Sequence, residues 1–430
     1  MALSVFNLSY GSKMGPILVI DKSAFQSFSA NELTILTRYF TINIPPVFVV
    51  EVIADLTKND GESVLNTEGV KKIAQKIHSK DTNFNQYYRE ILVGSLIYRN
   101  LKLEHAKIVI NAQAVKNSIG QIGFKAEVSP EEIAFNKWKR SDFSFDDEVL
   151  ALKWRQLTDE IDLDELISKL RKSPIFHEKL KSLDDVVKKV DNFLKGKNSI
   201  ELLEILAEDF GLSVDEVSPA FYKLESNNYR SFKELSGYAY FCLKVVTTFY
   251  FSLVNELITK RPTNRVDLEY IFYLPFCNGF VSNDKFHKRI VPLVLQDYNE
   301  FILGSDLKKD LAKIYKFTQE NNHPKYLKFP PKLENSIVSQ LWDKYTTGVR
   351  EEKNDFFSKM TKEDKEELLS KLNRFTENTT NLSNDGANSE IFEDHEFFIR
   401  EREVPLSDPC ICGSGIPFKD CCFKKYKNQK

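Results

Sequence analysis

Acidic residues follow three apolar runs of this sequence, where their side chains could bind a metal ion. The run 17–20 leads to Asp21, the run 46–50 leads to Glu51, and the run that ends in Phe280 and Val281 is followed by Asp284. Such runs are typical of buried parallel strands, and open α/β sheets bind ligands at the carboxyl ends of their strands. Together with Asp267, which we predict to open a helix, four carboxylates are expected to converge at one edge of a sheet.

The chemistry that this set favours is metal-dependent hydrolysis. Carboxylate oxygens prefer hard cations such as Mg²⁺ or Mn²⁺. Two such ions could activate a water molecule and stabilise the leaving oxygen of a nucleic-acid strand. The basic residues that we expect to contact flanking phosphates are Lys285, His287, Lys288 and Arg289. The residues that we expect to support the acids by hydrogen bonds are Ser23, Ser282 and Asn283.

Each of these residues also has a structural interpretation. Asp21 and Asp284 could simply belong to turns, which favour Asp. Asp267 could complement a helix dipole, and the basic residues after Asp284 could form a solvated helix face. Glu51 stands among apolar neighbours, so it needs a partner or a metal ion.

The ordered acidic segments V-I-D-K-S, V-V-E-V-I-A-D-L, Asp267 and F-V-S-N-D-K resemble those of PIN-like metal-dependent nucleases. The resemblance implies a parallel α/β sheet and assigns Asp21, Glu51, Asp267 and Asp284 as ligands of Mg²⁺ or Mn²⁺. Because about two hundred residues separate Glu51 from Asp267, it also implies a large helical insertion within the domain.

Four of the six cysteines fall close together near the end of the sequence, at Cys410, Cys412, Cys421 and Cys422. Closely spaced thiolates, with Gly413 and Gly415 allowing a tight turn, suit a tetrahedral Zn²⁺ site. A cytoplasmic chain would not normally keep disulfides. The two remaining cysteines, Cys242 and Cys277, have apolar neighbours and are predicted to lie in the core.

The segment D-P-C-I-C-G-S-G-I-P-F-K-D-C-C resembles the SEC-C motif, which is best known from the tail of a translocation ATPase. This resemblance implies that all four clustered cysteines bind structural zinc, and that the tail docks to a protein or to the ribosome. The sequence has no G-x-x-x-x-G-K-[S/T] phosphate-binding loop, so it does not indicate a translocation motor.

Composition and charge restrict the remaining possibilities. The chain has 430 residues, of which 42% are hydrophobic, and Lys+Arg at 60 nearly balance Asp+Glu at 62. Any contact with a nucleic acid is therefore expected to be local. We read no signal peptide and no membrane span, since the apolar segment 238–257 fits a buried helix. A cytoplasmic protein is predicted, with its oligomeric state open.

The predicted fold class is α/β, with a PIN-like parallel sheet, a large all-α insertion and a small C-terminal zinc knuckle. The predicted parts are a first half of the sheet domain (1–100), a helical insertion (101–255), a second half (256–300), a helical extension (301–375), a polar linker (376–403) and a zinc knuckle (404–430).

The predicted function is metal-dependent phosphodiester hydrolysis, with RNA rather than DNA as the favoured substrate, although the sequence does not separate the two. The alternative is a non-catalytic zinc-binding adaptor whose acids are structural.

Overall fold

A computed structural model describes most of the first 346 residues of the chain. The described residues are 3–6, 15–58, 65–77, 82–97, 101, 103, 106, 108–116, 122–126, 128–226, 229–321 and 329–346, with backbone alone at 3–6, 110–116 and 122–126. The predicted linker and zinc knuckle, including Cys410, Cys412, Cys421 and Cys422, lie outside the described residues.

The strands of the described residues form two sheets. In chain order they are β1 (Leu3–Phe6), β2 (Ile17–Ile20), β3 (Thr41–Ile44), β4 (Thr82–Phe84), β5 (Ile108–Lys116), β6 (Ile122–Ala126), β7 (Gly279–Ser282) and β8 (Glu300–Leu303). One sheet has the order β4-β3-β2-β7-β8 and is parallel throughout. Every residue of β2, β3 and β7 is buried, as expected for a parallel sheet covered on both faces. The α/β prediction is confirmed at this level.

The order of the parallel sheet creates a switch point beside its central strand. The chain adds β3 and β4 on one side of β2, and later adds β7 and β8 on the other side. In β2, Val19 is paired with Asn43 of β3 and with Phe280 of β7. Connections that leave in opposite directions open a crevice at the carboxyl ends of the two strands, where such sheets bind ligands.

Seventeen α-helices surround or extend these sheets in the described part of the chain. They are α1 (Lys22–Ser27), α2 (Ala30–Tyr39), α3 (Pro46–Ala54), α4 (Thr67–Gln75), α5 (Tyr88–Ile97), α6 (Pro130–Trp138), α7 (Phe145–Asp159), α8 (Leu163–Leu170), α9 (Leu183–Gly196), α10 (Ser199–Asp209), α11 (Val214–Glu225), α12 (Phe232–Leu235), α13 (Gly237–Val254), α14 (Thr263–Ile271), α15 (Lys285–Val294), α16 (Gly304–Glu320) and α17 (Ile337–Tyr345). Short 3₁₀ turns lie at Asp55–Thr57, Pro174–Phe176 and Leu274–Phe276.

The apolar run at 46–50 belongs to a helix, so the prediction of a strand that ends at Glu51 is wrong. The strand is the preceding segment, β3, and α3 starts at Pro46, where a missing N–H costs nothing. Most of α3 is buried, and a buried helix is apolar around its whole circumference. Glu51 therefore lies within a helix that follows the sheet edge.

Asp267 lies in the middle of α14 rather than at its start. The helix begins at Thr263, directly after Pro262, so Asp267 is one full turn into it. Its side chain consequently does not cap the helix, and the dipole interpretation of this residue is also wrong.

The segment 101–255 is mostly helical but not all-α. It contains β5 and β6, which are paired with each other and, through β5, with β1 in an antiparallel sheet. The parallel sheet also extends past the predicted boundary at residue 300, because β8 pairs with β7. The helical extension therefore starts at α16.

Helix α13 is the candidate for the buried helix predicted at 238–257. It is long and apolar enough to cross a membrane, but 78% of its most apolar window is buried inside the protein. A core helix has this pattern. Both Cys242 in α13 and Cys277 are buried free thiols, as predicted.

Candidate functional site

Asp21 is held at the carboxyl end of the central strand. It directly follows β2 and caps α1, where its Oδ1 accepts a hydrogen bond of 2.7 Å from the Ala24 amide. The Ser23 hydroxyl donates to both carboxylate oxygens, at 3.1 and 3.2 Å. The residue is only 4% exposed. Its position is fixed because it both ends a strand and caps a helix.

Ser282 joins Asp21 to the neighbouring strand β7. Its hydroxyl donates to Asp21 Oδ2 at 2.5 Å and accepts a hydrogen bond of 2.9 Å from the Asp284 amide. One serine is therefore hydrogen-bonded to the acidic residues on both sides of the switch point.

His287 lies beneath these acids and is fully buried. Its Nε2 is 2.8 Å from the Asp267 carbonyl oxygen, so this nitrogen donates. Its Nδ1 lies 2.9 Å from Ser282 Oγ and 3.5 Å from Asp21 Oδ2. Because the serine proton is directed to Asp21, Nδ1 faces acceptors as well. Both ring nitrogens then carry protons, which makes the ring a buried cation.

The pKa values of this pair agree with an ion pair. Burial opposes the charged form of His287, but the hydrogen bond and charge of Asp21 and the charge of Asp267 raise its pKa to about 9. Burial likewise opposes ionisation of Asp21, yet His287, Ser282 and the Ala24 amide together lower its pKa. The prediction that His287 contacts phosphate does not fit this geometry, since the ring is enclosed.

Glu51 approaches from α3 and is held by α14. The Tyr270 hydroxyl donates to Glu51 Oε2 at 2.5 Å. Lys22 donates to the Glu51 carbonyl at 2.9 Å and forms an ion pair of 2.8 Å with Asp55. The pKa of Glu51 is raised overall, and burial is the largest cause. The charge of Asp21 also raises this pKa, whereas the charge of Lys22 and the Tyr270 hydrogen bond lower it.

Asp267 is influenced by all three other predicted acids. Burial is the largest cause that raises its pKa to about 7; His287 lowers the pKa, and Glu51, Asp284 and Asp21 each raise it. Asp284 caps α15 by accepting a hydrogen bond of 2.6 Å from the Phe286 amide. Electrostatic coupling of this kind requires the four carboxylates to share one neighbourhood.

The donor chemistry of this neighbourhood suits a hard cation, but its spacing is not that of a formed metal site. Among the described residues, no group of three His, Cys, Asp or Glu side chains could hold a metal ion. Binding of Mg²⁺ or Mn²⁺ would therefore require the acid side chains to move closer together.

The other predicted residues border the acids on the solvent side. Lys285, Lys288 and Arg289 are exposed on the first turns of α15. Asn283 is exposed as well, and its Oδ1 accepts a hydrogen bond of 2.8 Å from the Ser305 amide. Asn283 thus fixes the start of α16 and is not bonded to an acid.

Two further half-buried acids were missed by sequence reasoning. Burial raises the pKa of Glu269 to about 7, and Glu51 adds to this rise while Arg265 opposes it. Burial also raises the pKa of Asp209 to about 7, although the hydrogen bond with Tyr250 opposes this rise. Neither residue follows an apolar run or belongs to a motif, so the sequence carries no signal for either of them.

A family model matches the end of the chain, at residues 407–424. Its description is the SEC-C motif. The chain carries a SEC-C motif.

The SEC-C motif spans all four clustered cysteines, Cys410, Cys412, Cys421 and Cys422. Because the matched residues are 18 of the 430, the match describes the tail and leaves the α/β part unassigned. No curated protein and no solved structure matches the chain.

Proposed function

We propose that the chain is a metal-dependent nuclease that hydrolyses phosphodiester bonds, with RNA as its substrate. The observation that supports this proposal is that Asp21, Glu51 and Asp284 each raise the pKa of Asp267, beside the switch point of the parallel sheet. Repulsion among these carboxylates destabilises the fold unless a cation binds between them. Acids with strongly shifted pKa values are typical of functional sites.

In this proposal the four carboxylates hold Mg²⁺ or Mn²⁺. The bound ion supplies an activated water and a counter-charge for the leaving oxygen. The protein's own part is positioning: Ser282 and His287 fix Asp21, and Tyr270 fixes Glu51. Lys285, Lys288 and Arg289 contact the phosphates that flank the cleaved bond, since they are the exposed cations beside Asp284.

The resemblance to PIN-like nucleases supports the same proposal. All four acids stand in the order of that family's motifs. The stretch of chain between Glu51 and Asp267 contains mainly the helices α6 to α13. These helices correspond to the proposed helical insertion. We propose a PIN-like domain formed by the parallel sheet and the helices next to it.

A cleavage assay tests the proposal directly. The full chain is incubated with end-labelled single-stranded RNA, and in parallel with DNA, in Mg²⁺, Mn²⁺ or EDTA. Asp284→Asn should abolish metal-dependent cleavage, whereas Asp297→Asn should not, because Asp297 is an exposed residue outside the acid cluster. Cleavage that survives in Asp284→Asn, or its absence from the wild type with every metal and both substrates, would contradict the proposal.

The SEC-C tail has a separate proposed role. Its four cysteines bind one structural zinc ion, and the zinc-bound segment docks to a protein or to the ribosome. The lysines that follow or end the motif suit an acidic partner, and they are Lys424, Lys425, Lys427 and Lys430.

The alternative is a zinc-binding adaptor without catalysis. It is favoured by one observation, namely that no three described acid or histidine side chains could hold a metal ion together. In that case His287 serves as the permanent partner of Asp21. An adaptor would tolerate Asp284→Asn and would lose partner binding when Cys410 or Cys412 is replaced.

A further inference from the structure

The loop that follows β4 lies at the same edge of the sheet as the acids. Residues 85–87 lead from the carboxyl end of β4 into α5. Because the strands of this sheet are parallel, the carboxyl end of β4 shares an edge with the carboxyl ends of β2 and β7, which lead to Asp21 and Asp284.

This loop is anchored on both sides. The Asn85 carboxamide oxygen accepts hydrogen bonds from the amides of Gln86 at 2.8 Å and Val109 at 3.2 Å. The Tyr273 hydroxyl, from the segment that follows α14, donates to the Gln86 carbonyl at 3.0 Å. The loop therefore has a fixed position relative to α14, which carries Asp267.

Tyr87 projects from the anchored loop onto a stack of aromatic side chains. It is 39% exposed, and its ring meets the Tyr88 ring edge to face at 4.7 Å. Tyr88 is buried against Phe272, at a centroid distance of 4.7 Å, and against Phe210, at 6.2 Å. Tyr87 is thus a partly exposed ring supported by a rigid base.

Arg265 of α14 lies on the same helical face as Phe272, seven residues later, and the Phe272 ring packs against Tyr88. Burial is the largest cause that raises the pKa of Tyr87, and the charge of Glu269 raises it as well, whereas the Tyr88 hydrogen bond and the charges of Arg265 and Arg89 lower it. Arg265 precedes Asp267 by two residues and is partly exposed.

We propose that Tyr87 and Arg265 form a nucleotide subsite, in which the ring stacks on an unpaired base and the guanidinium binds the phosphate of that nucleotide. Base stacking on an aromatic ring tolerates any sequence, and a planar guanidinium matches phosphate with two hydrogen bonds. The occupant is a nucleotide that flanks the bond to be cleaved. The inference rests on the proposed nuclease function. It names the place where the RNA substrate would continue beyond the acid cluster.

Binding of fluorescent single-stranded RNA, measured by anisotropy with the full chain in EDTA, tests the subsite without cleavage. Tyr87→Ala should weaken binding by about five- to a hundredfold, the effect of losing one stacked base. Tyr87→Phe keeps the ring and should bind as the wild type does. Arg265→Lys keeps the positive charge but loses the planar guanidinium that makes two hydrogen bonds to phosphate. This variant should therefore bind the single-stranded RNA more weakly.

Tyr222→Ala is the matched control. Tyr222 is 71% exposed on α11, and its neighbour Lys223 bonds to the carbonyls of Leu96 and Ile97, at the opposite end of α5 from Tyr87. This variant should bind RNA normally. An oligonucleotide of equal charge without bases should bind equally to the wild type and to Tyr87→Ala.

The outcomes separate the subsite from the nuclease proposal. Wild-type affinity in Tyr87→Ala, equal losses in Tyr222→Ala, or no binding of RNA by the wild type would overturn the subsite. A loss confined to Tyr87→Ala and Arg265→Lys would support it even if the cleavage assay failed. Metal-dependent cleavage with unaltered binding in Tyr87→Ala would leave the nuclease proposal intact and refute the subsite.

Discussion

The Tyr270 hydroxyl donates a hydrogen bond to the Glu51 carboxylate, although the two residues lie 219 positions apart in the chain. This contact joins α14 to α3 across the carboxyl edge of the parallel sheet. It links the acid encoded early in the sequence to the helix that carries Asp267. Two distant parts of the chain are thereby held together.

Tyr270→Phe should lower the free energy of unfolding by about 1 kcal/mol, because a buried carboxylate loses its donor while the ring is kept. The pKa of Glu51 should rise, since the Tyr270 hydrogen bond lowers it. Urea unfolding followed by circular dichroism measures the first effect. Tyr222→Phe, which alters an exposed hydroxyl, should be neutral. Equal midpoints for both variants and the wild type would show that the bond adds nothing.

His287→Gln should change the pH dependence of stability. Because the folded protein raises the pKa of His287 from 6.5 to about 9, the charged ring stabilises the fold fully below pH about 6.5. This contribution is lost as the pH rises through 9. The stability difference between wild type and variant should therefore shrink by roughly 2 to 3 kcal/mol between pH 6 and pH 9.5. Urea titrations at a series of pH values measure it, and a constant difference would rule out a buried imidazolium.

Asp267→Asn should stabilise the protein at neutral pH without divalent ions. The folded state raises the pKa of Asp267 from 3.8 to about 7, so the carboxyl group reduces stability progressively as the pH rises from about 4 to 7. Since the residue is partly exposed, we expect a gain of about 1 kcal/mol at pH 7.5 and none at pH 4. Addition of Mn²⁺ should stabilise the wild type more than the variant. Equal Mn²⁺ effects on thermal unfolding would argue against Asp267 as a ligand.

Cys410→Ser should abolish zinc binding by the SEC-C tail. The purified wild type should contain about one zinc ion per chain, because a four-cysteine site binds one tetrahedral ion. Cys277→Ser is the control, since Cys277 is a buried thiol of the core. Elemental analysis of both variants measures the loss. Zinc retained in Cys410→Ser, or lost equally from both, would contradict the assigned ligands.

The strands that flank the switch point could be predicted because they are short, apolar and followed by Asp. Both β2 and β7 appear where the runs before Asp21 and Asp284 predict them. The run before Glu51 has the same composition but forms a helix. A fully buried helix and a buried strand have the same apolar pattern over five residues, so periodicity does not distinguish them.

The partners of the acids could not be predicted from spacing. Tyr270 resembles any aromatic core residue, and His287 stands in a basic segment that is typical of a solvated helix face. Their roles depend on which atoms the fold brings together over long sequence separations. The strands β3, β4 and β8 were also missed, since each has only three or four residues and its pairing is set by tertiary contacts.

The length of the segment between β4 and β7 has a consequence for biosynthesis. Asp21 and its partner Ser282 are 261 residues apart, so at about 5–20 residues per second the ribosome needs roughly 13–50 seconds to deliver the second after the first. During that interval one edge of the central strand has no neighbour from β7. An unpaired apolar strand edge invites association with other nascent chains. Newly made protein should therefore depend on chaperones until β7 emerges and closes the sheet.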